Sequence, residues 1–103
     1  MNSRLKLHEE LVELLGSRNV YYQPPESVSM SYPAIVYSKL QIGNKFANNN
    51  VYAQSHSYRI IVIDSDPDSI IMEKMSFFKT ARFERHYAAN GLNHFVFGIV
   101  YKI

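Results

Sequence analysis

A chain of 103 residues, 47% hydrophobic and 19% charged, has a single-domain length and can bury a modest core without a disulfide or a metal. Eleven basic against nine acidic residues leave a formal charge of +2, without the dense positive field of a dedicated nucleic-acid binder. The absence of cysteine excludes disulfide frameworks, thiolate metal sites and thiol nucleophiles, and the longest apolar run, Ile60 to Ile63, is far too short to span a bilayer. With a polar amino terminus, these features lead to the expectation of a soluble protein of a cytoplasmic compartment.

Ser3 to Leu15 reads as an amphipathic helix. Leu7, Leu11, Leu14 and Leu15 lie on one stripe with Lys6, Glu9, Glu10 and Glu13 opposite, and Gly16 is the stop. Asn19 to Gln23 is a short strand, followed by the irregular connector "PPESVSMSYP". Ala34 to Ile42 alternates as a strand with Val36, Leu40 and Ile42 on one face. The polar "GNKFANNN" (43–50) is expected to be a flexible loop leading to a longer strand, Val51 to Asp64, in which Tyr58, Ile60 and Val62 share a face.

A second helix begins near Pro67, with Asp66 as N-cap, Pro67 in the first turn and Asp68 at the positive end of the dipole. Ile71, Met75 and Phe78 form its main apolar stripe, while Ile70 and Phe77 form a second flank that either sits in the core or faces a neighbouring subunit. Two strands close the chain, Ala81 to Ala88 and Asn93 to Ile103, turned at Asn90–Gly91. A two-residue turn would put Phe83 and Tyr87 on the face opposite Phe95, Phe97 and Ile99. A three-residue turn with Gly91 in a bulge gathers all five, and this register is the expected one. The order α-β-β-β-α-β-β is that of one α+β domain over residues 1–103, its two helices packed on a mostly antiparallel sheet.

The residues that carry chemistry form no recognisable catalytic pattern. Asp64, Asp66 and Asp68 imitate the start of a calcium loop, but the sixth position is Ser69 and the twelfth is Met75, whose thioether is no ligand for a hard cation. His86 and His94 lie on paired strands without a third metal ligand nearby in sequence. His56, Ser57 and Asp64 can be assembled on paper into a Ser-His-Asp set, yet Ser57 sits in mid-strand without a nucleophile elbow. With four scattered glycines there is no phosphate loop. The expectation is a non-enzyme with no cofactor and no metal. Lys79, Arg82 and Arg85, interleaved with Phe83 and Tyr87, are the candidate nucleic-acid contacts, set against a plainly solvated strand face. "YYQPP" (21–25) is read as a rigid connector rather than a polyproline ligand.

Several phrases in order, "VYYQPPES" (20–27), "YPAIVY" (32–37) and "YRIIVIDSDPDS" (58–69), flanked by the first helix and the closing hairpin, cover nearly the whole chain. Together they resemble the small tail-completion or tail-terminator proteins of long-tailed phages and prophages. The resemblance implies an α+β subunit that assembles, typically as a hexameric ring, on the head-proximal end of the finished tail tube. Such a ring ends tube polymerisation and joins the tail to the head. Its implied partners are further copies of itself, the major tail tube protein and the head-connector or stopper protein, with DNA only in passage, no membrane, and the virion as its place. A closed ring needs two different complementary patches per subunit. Phe46 and Tyr52 at the loop, and Ile70 and Phe77 on the helix flank, are the expected contacts. Alternative readings are a head-completion adaptor or stopper at the portal, or a small nucleic-acid-binding module.

Overall fold

The computed structural model describes residues 3–24, 29–47 and 50–102. Helix α1 spans Ser3–Leu15 and β1 spans Val20–Tyr22. Leu7, Leu11 and Leu15 are buried along one stripe of the helix, as the 3.6-residue period requires. Gly16 ends α1 at φ +83°, its N–H bonded to the Val12 carbonyl at 2.9 Å. That left-handed cap is open to glycine without steric cost.

Strands β2 (Ala34–Ala47), β3 (Asn50–Asp64), β4 (Arg82–Ala89) and β5 (Leu92–Lys102) complete one five-stranded sheet in the order β1-β2-β3-β5-β4. Only the β1–β2 pair is parallel. With two helices, this is the α+β fold in the order read from the sequence. Both helices lie on one face, where Leu7, Leu11, Leu15 and Met75 close over Ile35, Tyr37, Tyr58, Ile60, Val62, Phe95, Phe97 and Ile99. Ala34, Ile63 and Val96 are buried but stand apart from that cluster, on the opposite side of the pleat.

Four local expectations change. Residues 43–47 and 50, expected as part of a loop, are strand, and the rest of that expected loop lies outside the described residues. β2 runs on to Ala47 and β3 starts at Asn50, paired from Gly43↔Ser55 to Ala47↔Asn50. A ladder supplies the backbone partners that a polar loop would take from water, and this outweighs the weak strand propensity of Gly and Asn. In β2 the core positions are Ile35 and Tyr37, not Val36, and Leu40 and Ile42 are roughly half exposed. The register shift between Lys39 and Gln41 leaves Leu40 without a residue opposite and reverses the alternation beyond it.

The second helix, α2 (Ile70–Ser76), starts later than expected. Its N-cap is Ser69, whose Oγ accepts from the Met72 N–H at 3.2 Å. Asp64 and Asp66 instead accept from the backbone N–H groups of Asp66 (3.1 Å) and Asp68 (2.9 Å), two successive Asx turns that hold the chain outside the helix.

The closing hairpin turns in two residues, since Ala89 pairs with Leu92 and both Asn90 (φ +54°) and Gly91 (φ +75°) are left-handed. The bulge lies further along, between Phe83 and Arg85. It returns Phe83 to the helix face, edge-on to Phe97 at 5.4 Å, while Tyr87 stays on the other face, stacked on His94 at 4.7 Å.

Candidate functional site

The residues expected to make contacts occupy two opposite parts of the molecule. Beyond the last β5 pairing, Lys102 with Ser55, β2 and β3 continue as a two-stranded arm through four further register pairs, roughly 13–15 Å at the usual strand rise. Phe46 faces Val51 across this arm, and a register shift leaves Tyr52 with no residue opposite. The side chains of both lie outside the described residues. The arm contributes to a long shape, 52 × 25 × 22 Å along its principal axes.

On α2 the two apolar flanks part company. Met75 is fully buried and Ile71, Met72 and Phe78 pack against the core, but Ile70 is 65% exposed and Phe77 is 89% exposed. Seven residues apart, these two share one side of the helix, with Glu73 and Lys74 between them. The flank is therefore outside the core, with large apolar groups in water.

The basic set is only partly brought together. Lys79 lies in the connection between α2 and β4, away from the strand pairing. Arg82 is opposite Gly98 and Arg85 opposite Val96, which puts both on the face without helices. Arg59 is the other cross-strand neighbour of Gly98 and joins them. Sequence reading missed Arg59. Its alternation with Tyr58 and Ile60 placed it opposite the core, but only the strand order brings it within two strands of Arg82.

The catalytic assemblies imagined on paper do not form. His56 and Ser57 are consecutive in β3 and so point to opposite faces, and Asp64 is eight residues further on, roughly 26 Å along the strand. His86 stacks on Phe95 (4.5 Å) on the helix face and His94 on Tyr87 on the other, so no metal can bridge them. No group of three or more metal-ligating side chains occurs among the described residues.

Four polar side chains are tuned by packing under the helix layer. His8 Nδ1 is 2.8 Å from the Tyr37 hydroxyl, and Tyr101 donates to Glu10 Oε1 at 3.1 Å, tying β5 to α1. Burial, then the neighbouring Arg4, holds His8 below the usual imidazole range, and burial, then Lys39, does the same to His56. Burial raises Tyr37, and burial with the Glu10 carboxylate raises Tyr101. These histidines fold in their neutral form. Above the ordinary imidazole value of 6.5 they are neutral in both states and add no pH dependence. Below it the unfolded chain takes up protons that the folded one resists, so stability falls as pH falls towards the lowered folded values. Tm is expected to be lower at pH 5.5 than at pH 7.5, with a shallower slope for His56→Gln. A Tm that holds or rises on acidification in calorimetry would refute this assignment.

Among known proteins, no family model matches the chain and no curated protein matches it.

Proposed function

We propose that this chain is a structural subunit that caps the head-proximal end of a long phage tail as a ring, ends polymerisation of the tail tube and joins the tail to the head. The observation that carries this reading is the β2–β3 arm. In the arm β2 and β3 pair with each other past the last β5 pairing, and isolated two-stranded pairs are at best marginally stable in water. Packing against a neighbouring subunit supplies what such a pair lacks. The α2 flank, with Phe77 and Ile70 in solvent, is a second and different patch. Two unlike patches are what a head-to-tail ring requires, because such contacts close only at the correct rotation. The ordered phrases "VYYQPPES", "YPAIVY" and "DSDPDS" support the same reading by resemblance, and with it a hexamer, the tail tube protein and the head connector as partners.

The test is to inactivate the gene in its phage or prophage, induce, and image the particles by negative-stain electron microscopy. Overlong tails detached from heads are expected. Normal-length loose tails beside filled heads would move the assignment to a head-completion role. Unaltered infectious particles would end both readings.

A further inference from the structure

We propose that the helix-free face of the sheet holds a contact site for a nucleic-acid phosphodiester backbone, built from Arg59, Arg82 and Arg85. The site goes beyond the ring reading and does not depend on it. Arg59 and Arg82 flank Gly98 from the two strands on either side of β5, and Arg85 stands opposite Val96, the next position on that face. All three are exposed, and among the described residues none has a carboxylate within 4.0 Å. Arg85 lies over the Tyr87 ring at 5.4 Å, and Tyr87 stacks in turn on His94, so a ring pair ends the arginine row.

Charge bookkeeping favours a polyanion as the occupant. By register this face carries Arg59, Arg82 and Arg85 together with the strand position of Lys102, against one acid, Glu84, among the described residues. Glu84 is the residue left unpaired by the β4 bulge, and its Oε2 lies 2.6 Å from where a side chain on Gly98 would begin. Its carboxylate therefore lies over Gly98, between the register positions of Arg59 and Arg82 but beyond ion-pair distance of both, where it lowers the local positive potential. It keeps the contact weak and salt-sensitive. Guanidinium groups directed at phosphates carry no base information, so the contact is sequence-independent.

The test is fluorescence anisotropy of a labelled homothymidine single strand titrated with purified protein across a salt series. Three phosphate contacts predict a slope of log K against log salt of about −2, from roughly −0.7 per contact on a single strand. Arg59→Ala and Arg82→Ala should each weaken binding and bring the slope closer to zero by about 0.7. Glu84→Gln should tighten binding several-fold, and Lys74→Ala on α2 should change nothing. Circular dichroism confirms that each variant is folded. Absent binding at low salt, or an equal loss for Lys74→Ala, overturns the proposal. So does a result in which the arginine variants abolish self-association in sedimentation but leave strand binding intact, which would make this face a protein interface.

Discussion

Phe97→Ala is expected to cost about 3–5 kcal/mol of folding stability, the usual range for truncating a fully buried aromatic ring. Phe97 is wholly inaccessible on the helix face of β5, paired with Ile60 on one side and Phe83 on the other, and belongs to the cluster closed by Leu7, Leu11 and Met75. Removing the ring leaves a cavity with walls from both layers, so neither can collapse into it without moving the other. A domain of this size has a total stability on the order of 5–15 kcal/mol, so the variant loses a large share of it. In calorimetry, Tm should fall by roughly 20 °C, whereas Phe97→Leu should lose only about 1–2 kcal/mol. A drop of under about 5 °C for the alanine variant would show that this part of the core is not closed as described.

Phe77→Lys should produce the opposite pattern. Phe77 caps the C-terminal end of α2 with αR backbone geometry and is 89% exposed, so its ring contributes little burial to the folded subunit. Lysine is chosen because a cation at a helix C-terminus is favoured by the dipole, which leaves folding stability within about 0.5 kcal/mol. If this flank is one of the two ring patches, a charge placed at its centre is left desolvated without a partner. The mutant phage should then make overlong, headless tails like those expected of the inactivated gene. Infectious particles with normal tails would remove Phe77 from the contact set while leaving the arm to be tested on its own. Read together, the two phenylalanine variants separate loss of fold from loss of assembly, because a near-neutral change in Tm excludes unfolding as the cause.

The elements that were legible in the sequence are those whose signal is local and periodic. Leu7, Leu11 and Leu15 announce α1 by spacing, and Gly16 closes it because that position needs a left-handed residue. Tyr58, Ile60 and Val62 announce the core face of β3, since alternation on a central strand leaves them only one side to bury. The α2 flank was visible as an apolar arc wider than one sheet face needs, but whether Ile70 and Phe77 would be inside or outside was not. That depended on how α2 rests on the sheet, with Met75 down and Phe77 up.

Other features were illegible because a single extra residue decides them. The bulge at Leu40 exchanges the faces of β2, and the bulge at Glu84 separates Phe83 from Tyr87. A one-residue slip costs nothing in composition or periodicity, yet it moves every later side chain to the other side of the sheet. The arm was hidden for a related reason. Its strands draw support from pairing with each other, so a Gly- and Asn-rich stretch that reads as a loop becomes strand once its partner is across from it.

By itself the sequence determined the order and type of the described elements, their α+β class and the lack of cysteine thiols in these residues. Each of these follows from local spacing or residue inventory. Only the tertiary structure decided which side chains share a surface. Arg59 is more than twenty residues from Arg82, and both reach Gly98 solely because β5 lies between β3 and β4. Local periodicity tells a residue which side of its own strand it occupies, while register and strand order decide what stands beside it, and these are set by pairing between residues far apart in the chain.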